Sequence, residues 1–148
     1  EAAAHFQRSM ILNPRDEDAA KMAKRANDMA SNSRAEGAWR QGREALMREQ
    51  FQEAAKLFKQ AVESNPSKGK YYHSFGKVVW EHTMRQRTAI EMFRLAVEKE
   101  PSNLEFVLEL ARAYETVGMP SNALKAFERA ASIDTGNDEA RKALKRLR

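Results

Sequence analysis

The sequence predicts an all-α protein made of stacked, antiparallel helix pairs, and three observations support this fold class. The phrase FKQAVESNP at 58–66 recurs as FRLAVEKEP at 93–101 and, in outline, as FQRSMILNP at 6–14 and FERAASIDT at 127–135. The last three copies follow one another at 35 and 34 residues. A period of this length is typical of repeat proteins built from stacked supersecondary units. The chain is rich in strong helix formers and has only 6 glycines and 4 prolines among 148 residues. No stretch alternates apolar and polar residues as a half-buried strand would.

Residues 35–68 form the first complete unit and show its plan most clearly. Ala54, Phe58 and Ala61 are spaced at i, i+4 and i+7, which places them on one face of a helix. The segment REQFQ at 48–52 interrupts the apolar pattern. Another apolar stripe with helical spacing lies before this segment and predicts a first helix. The second helix should end before Pro66, because the residue preceding a proline is disfavoured in the α conformation. The unit is therefore a helix, a short turn, a second helix and a stop.

The same plan repeats over residues 69–103 and 104–137, where Pro101 and the Thr135-Gly136 pair mark the stops. Small residues take matching places in the first and second helices of the units: Gly42, Gly76 and Ala111, and Ala54, Ala89 and Ala123. Two antiparallel helices joined by a short turn need small side chains where their axes approach most closely. We therefore expect close helix crossings there, with Phe58, Phe93 and Phe127 filling the gap toward the next unit.

The two ends of the chain resemble each other. Residues 2–25 align with 123–146 at a constant offset of 121, with these identities: Ala2, Phe6, Arg8, Ala19, Lys21, Lys24 and Arg25. Residues 138–148 predict a polar helix that caps the last unit. Residues 1–31 are therefore interpreted as a remnant half-repeat plus the capping helix of an upstream array. Residues 32–34 are the predicted short linker, although the helix from residue 35 could also stack directly on the preceding one.

This pattern resembles the tetratricopeptide repeat (TPR) family over residues 35–137. The resemblance is carried by Gly42, Ala54, Phe58, Ala61, Pro66, Gly76, Ala89, Phe93, Ala96, Pro101, Leu110, Ala111, Tyr114, Ala123, Phe127 and Ala130. The chain departs from the family at Ala45 and Val79, where the family prefers tyrosine, and at Thr135, where it prefers proline. The resemblance implies a right-handed α-solenoid whose first helices line a concave groove. It also implies a non-catalytic scaffold that binds a partner protein or peptide there.

The resemblance also assigns the groove residues by their repeat positions. Arg43, Lys77 and Arg112 take the same place in the three units and would form a cationic row. We expect an acidic peptide with an apolar anchor, because arginine can grip carboxylates in a bidentate way and aromatic side chains anchor interfaces. The predicted groove residues are Trp39, Arg43, Met47, Lys70, His73, Lys77, Trp80, Leu108, Arg112 and Glu115. Some family members clamp chaperone tails with lysine and asparagine, but the asparagines are missing here, so we do not predict that ligand.

No constellation of residues points to catalysis. The histidines His5, His73 and His82 have no metal-site spacing, and the chain has no cysteine and no glycine-rich phosphate loop. We therefore predict no enzymatic activity, no cofactor, no metal and no small-molecule substrate. No apolar run approaches the ~20 residues needed to span a bilayer. The sequence leaves the cellular compartment open.

Two other classes of function stay open. The net charge of +5 and a basic cluster near the C-terminus are compatible with nucleic-acid binding, but no array of stacking aromatic residues accompanies them. Self-association is the second alternative. An apolar stripe with Phe6, Met10 and Ile11 could pair with another copy of the chain and form a homo-oligomer.

Overall fold

The computed structural model describes residues 14–148, and α-helices account for most of them. The helices are α1 (Pro14–Met47), α2 (Phe51–Ser64), α3 (Gly69–His82), α4 (Gln86–Lys99), α5 (Leu104–Thr116), α6 (Pro120–Ile133) and α7 (Asp138–Leu147). Residues 14–148 contain no strand, and none of their helices is both long and apolar enough to cross a membrane. The predictions for the phrase at 6–14 and for Phe6, Met10 and Ile11 fall almost entirely on residues 1–13, outside the described part of the chain.

The helices pack as consecutive pairs. α1 packs on α2, α3 on α4 and α5 on α6, each pair contacts the next, and α7 packs on α6. One continuous apolar core runs from Ala45 to Ala143 through all of these elements. The predicted all-α helical-repeat solenoid is therefore confirmed. Because each pair buries part of its apolar surface on its neighbour, the stability of one pair depends on the next.

Each helix pair buries a phenylalanine ring, and in the first two pairs this ring fills the crossing point. Phe58, Phe93 and Phe127 are each only 1% exposed. A Cβ atom added at Gly42 would lie 2.7 Å from the Phe58 ring, and one at Gly76 would lie 2.8 Å from the Phe93 ring. The predicted close crossings are thus confirmed for the first two pairs, and in both the ring packs against the glycine of its own pair.

The predicted linker at 32–34 is wrong, because α1 is continuous through it. The segment Ser31–Arg34 has no glycine or proline to end the helix. Its side chains also support the helix: the Arg34 guanidinium donates to Ser31 Oγ at 3.1 Å. The Asn65 amide donates to Asn32 Oδ1 at 2.7 Å, which ties this part of α1 to the turn after α2. Residues 31–34 are therefore a docked part of a long helix.

Two glycines of α1 give a matched test of the helix crossing. We expect Gly42→Ala to lower the free energy of unfolding by about 1–3 kcal/mol, because the added methyl group enters the space of the Phe58 ring. A methyl group at Gly37 would meet no atom within 4 Å. Gly37→Ala should therefore raise the free energy of unfolding by about 0.5–1 kcal/mol through helix propensity alone.

Urea denaturation followed by far-UV circular dichroism measures both effects. If Gly42→Ala stabilises the protein as much as Gly37→Ala does, the crossing is looser than the structure indicates.

Candidate functional site

A groove of about 920 Å³ crosses the first helices of the three pairs. Its walls include Glu36, Trp39, Lys70, His73, Glu105 and Phe106, and the turns before α3 and α5 close one end. A smaller cleft of about 190 Å³ lies beside it. The cleft is lined by Trp39, Arg43, Leu46, His73, Lys77 and Glu81, among others. Trp39 and His73 border both spaces, so they form the wall between the groove and the cleft.

Trp39 is held in place by contacts from two helices. Its indole Nε1 donates a hydrogen bond to Ser74 Oγ at 2.8 Å, which joins α1 to α3. The Lys70 ammonium lies 4.2 Å from the centroid of the Trp39 rings, and the Arg43 guanidinium lies 4.9 Å from it. Cations over an indole face are attracted by its quadrupole. The tryptophan is therefore a fixed aromatic surface flanked by positive charge.

Lys70 also belongs to a hydrogen-bonded cluster at the start of the groove. Its ammonium donates to Glu36 Oε2 at 2.7 Å, and the Tyr71 hydroxyl donates to the same oxygen at 2.9 Å. The bond from Lys70 lowers the pKa of Glu36, and burial opposes this shift. Burial, followed by the nearby Glu36 carboxylate, raises the pKa of Tyr71 to about 12. The Glu36 carboxylate therefore balances much of the positive charge of Lys70 within the protein.

His73 lies deep in the wall of the groove, only 9% exposed. Its ring stacks on Phe106 with the centroids 4.7 Å apart. Its Nε2 is 3.9 Å from Glu109, beyond hydrogen-bond distance, and has no hydrogen-bond partner among residues 14–148. His73 lowers the pKa of the Glu109 carboxyl, and Lys77 and Arg112 add to this effect while burial opposes it. Glu109 therefore brings a negative charge to this wall.

The three members of the predicted cationic row differ in their pairing. Arg112 donates to both carboxylate oxygens of Glu139 on α7, and this pairing lowers the pKa of Glu139. The Lys77 ammonium has only a long contact with Glu81, at 3.9 Å. Arg43 makes no ion pair within the described part of the chain. Arg43 and Lys77, on the cleft between α1 and α3, are therefore the members of the row without a close carboxylate partner among residues 14–148.

The remaining predicted residues lie in different surroundings. Trp80 is half-buried, with its rings 6.4 Å from the Phe93 ring, and Met47 is 82% exposed at the end of α1. Leu108 is 7% exposed and packs in the core rather than on the groove. Glu115 accepts hydrogen bonds from Arg146 of α7, at 2.7 Å for the shortest. The structure thus brings Trp39, Arg43, Lys70, His73 and Lys77 together and leaves Leu108 out.

Sequence reasoning missed Ser74, Glu109 and Glu139. Ser74 and Glu109 take the same repeat position, which Arg40 takes in the first unit, one residue beyond the predicted groove position of Trp39 and His73. Because all three units carry a polar residue at this position, the sequence could have indicated Ser74 and Glu109 as residues of the groove. Glu139 gave none, because its importance depends on how α7 packs against α5.

Glu36 provides a pH test of the groove cluster. The Glu36→Gln change should cost at most about 1 kcal/mol of stability near neutral pH, because the ion pair is partly exposed. The folded-state pKa of Glu36 is lowered, so its contribution is present above the unfolded value of about 4.5 and is lost as the pH falls through the folded pKa. The unfolding free energies of wild type and variant should therefore converge below about pH 4.

Urea denaturation at neutral and acidic pH measures this convergence. Glu44→Gln is the control, since Glu44 is exposed on α1 and has no ion pair among residues 14–148. The free energy of unfolding of this variant should stay within about 0.5 kcal/mol of the wild-type value. A difference between wild type and Glu36→Gln that grows as the pH falls would contradict the assigned ion pair.

Comparisons with known proteins agree with this architecture. A tetratricopeptide repeat family model matches residues 104–137, the range of the third predicted unit. A comparison with curated protein sequences gave no match. The solved TPR domain of Arabidopsis OM64 is similar, with a TM-score of 0.69 and 22% identity, over 80% of this chain and 97% of that one.

Two further solved structures share the fold. The first TPR domain of Spaghetti (RPAP3), bound to the HSP90 peptide SRMEEVD, has a TM-score of 0.69 and 16% identity, over 78% of this chain and 91% of that one. The TPR2B domain of yeast Sti1, in its pHsp70 complex, has a TM-score of 0.66 and 21% identity, over 78% and 96%. The family match thus identifies residues 104–137 as a tetratricopeptide repeat, and the solved structures show that the chain shares the fold of TPR domains.

Proposed function

We propose that this chain is a non-catalytic scaffold that binds a partner protein through an acidic peptide segment with an apolar anchor. The observation that carries the proposal is the cleft at Trp39, where Arg43 and Lys77 are cations without a close carboxylate partner among residues 14–148. A carboxylate that reaches both cations would gain charge-assisted hydrogen bonds. The neighbouring aromatic surface is already fixed, so a ligand would lose little entropy in ordering it.

The cleft itself suits the apolar anchor. Phe58 and Val78 line its floor, and both are at most 2% exposed. Leu46 and the indole of Trp39 line its sides. Its volume of about 190 Å³ fits one apolar side chain rather than a long segment. An anchor next to an acidic residue would therefore fill the cleft and place its carboxylate beside Arg43.

The structural neighbours support a peptide ligand of this chemistry. The peptide bound to the Spaghetti domain, SRMEEVD, contains three acidic residues and a methionine. A chaperone tail is nevertheless not the ligand proposed for this chain. On α5, Glu105 and Glu109 bring negative charge to the same side of the groove, and Arg112 is already bonded to Glu139. A chain-terminal carboxylate would meet repulsion there, so we place the acidic contact between α1 and α3.

The pairing of charges on α7 favours a protein partner over a nucleic acid. Arg146 is bonded to Glu115, Arg148 contacts Glu128, and Arg141 contacts Asp138. Arg146 and Arg148, two of the four cations of the basic cluster at 142–148, are thus less available to a phosphate backbone. Lys142 and Lys145 are the cations of this cluster that have no ion pair within residues 14–148.

The ligand preference can be measured with a random peptide library displayed on phage and selected on the intact 148-residue chain. We expect enrichment of peptides that combine Asp or Glu with one large apolar residue. A selected peptide, labelled with fluorescein, then serves as the probe for anisotropy titrations. Enrichment of basic or uncharged peptides would contradict the proposed ligand chemistry.

The cleft is tested by reversing its two available charges. Arg43→Glu with Lys77→Glu should weaken binding of the selected peptide at least about tenfold, because each contact with a charged donor contributes about 1.5–3 kcal/mol. The matched control is Lys142→Glu with Lys145→Glu, which makes the same change in net charge on α7. Near-wild-type binding by the cleft variant, or equal weakening in both variants, would show that the cleft does not hold the acidic residue.

A further inference from the structure

The wall of the groove formed by α5 carries two carboxylates that have no close cation of their own. Glu105, Glu109 and Arg112 are spaced at i, i+4 and i+7, which places them on one face of this helix. Arg112 is bonded to Glu139 of α7 rather than to either carboxylate of its own helix. Glu105 is exposed, lines the groove and makes no ion pair among residues 14–148. The cation of this face is therefore engaged elsewhere.

Glu109 is the more enclosed of the two carboxylates, with its side chain 19% exposed. Its contacts with basic side chains are long, at 3.5 Å from Arg112 Nη1 and 3.9 Å from His73 Nε2. A close charge-assisted hydrogen bond measures about 2.7–2.9 Å between the two heavy atoms. His73 nevertheless lowers the pKa of Glu109, against the effect of burial. Glu109 is therefore an ionised, mostly enclosed carboxylate that lacks a close donor.

The imidazole of His73 adds an independent observation at the same place. Its ring is 9% exposed and packs between Phe106 and Phe93, with centroids 4.7 Å and 6.0 Å away. Its Nε2 faces Glu109 but has no hydrogen-bond partner among residues 14–148. Buried polar atoms in folded proteins nearly always have a partner. The histidine and the carboxylate thus leave hydrogen-bonding capacity unused at one point of the groove wall.

The cations of the groove region that lack close carboxylate partners lie on other elements. Arg43 and Lys77 line the cleft between α1 and α3. Lys68, Lys99 and Glu100 lie at the closed end of the groove, in or beside the turns before α3 and α5. The α5 wall is therefore the acidic side of the groove, and the cleft is its basic side.

We propose that Glu105 and Glu109 bind a lysine or arginine side chain of the same peptide whose acidic residue binds at Arg43 and Lys77. A cation at this wall would gain charge-assisted hydrogen bonds, and the enclosed position of Glu109 limits screening by salt. The ligand would then carry both signs of charge, each at its own subsite. This inference rests on the proposed function and specifies the ligand further.

The acidic wall also gives the groove a means of rejecting other ligands. A uniformly acidic peptide would place a carboxylate against Glu105 and Glu109 and meet repulsion there. Specificity often depends on such a repulsive element as well as on the attractive one. The spacing between the two subsites would therefore select peptides by their charge pattern and not by net charge alone.

Parallel selections of the phage-displayed library on intact chains test the basic subsite. One selection uses wild type, and the other uses Glu105→Gln with Glu109→Gln, which keeps side-chain size and removes both charges. We expect wild type to enrich Lys or Arg at a constant distance from Asp or Glu. The variant should keep the acidic and apolar preference and lose the basic one. The matched control is Glu53→Gln with Glu63→Gln, which removes two exposed charges from α2 and should select as wild type does.

The selections separate failure of this inference from failure of the proposed function. If wild type enriches acidic and apolar residues without a basic one, the basic subsite is wrong and the cleft stands. A preference for Lys or Arg that persists in the Glu105→Gln, Glu109→Gln variant would overturn the basic subsite in the same way. Absence of the acidic and apolar preference in wild type would overturn both proposals.

Anisotropy titrations then measure the contact itself. The probes are a fluorescein-labelled peptide selected on wild type and the same peptide with Gln in place of its basic residue. Wild type should bind the second peptide about three- to tenfold more weakly, as expected for a partly exposed ion pair with charge-assisted bonds. The Glu105→Gln, Glu109→Gln variant should bind the two peptides about equally. An equally large loss in wild type and variant would overturn the subsite, and circular dichroism confirms that the variant is folded.

Discussion

The contact between a phenylalanine ring and a glycine is the constraint on which the first two helix pairs, and with them the candidate site, depend. Phe58 on Gly42 and Phe93 on Gly76 set how closely two helices of a pair approach, because no Cβ atom fits between them. The same contacts fix the rotation of the first helices about their axes. Arg43 and Lys77 directly follow the two glycines in the sequence, so core packing determines where these cations emerge. The position of the candidate site therefore follows from core packing, because its two cations lie one residue after the buried glycines.

The last helix does more than shield the end of the solenoid. α7 supplies Glu139 to Arg112 and Arg146 to Glu115, so both of these predicted groove residues of α5 are bonded within the protein. Of the predicted cationic row, this pairing leaves Arg43 and Lys77, on the first two helix pairs, without a close carboxylate partner among residues 14–148. The capping helix therefore determines, through its ion pairs, which charged side chains on the groove side of α5 are already paired within the protein.

Much of the fold could be predicted because its determinants are local and repeated. The recurrence of Phe58 and Phe93 after Gly42 and Gly76 gave both the helix pairs and their crossings. The linker predicted at 32–34 was wrong because serine and asparagine favour helix ends and turns. The hydrogen bond between Asn65 and Asn32 that holds this segment in place joins residues far apart in sequence, so the local pattern does not show it. The pairing of Arg112 with Glu139 was equally hidden, because repeat positions alone do not show ion pairs with a capping helix. Leu108 was predicted to line the groove but is buried in the core, because neighbouring positions on this short helix border both.

Hydrogen–deuterium exchange of the chain with and without a selected acidic peptide tests the central claim most directly, that the first helices of the pairs present the partner-binding surface. We predict slower exchange in the second half of α1 and in α3, around Trp39 and Lys77, with little change in α2 and α4. Protection confined to α2 and α4, on the opposite side of the pairs, would contradict the claim.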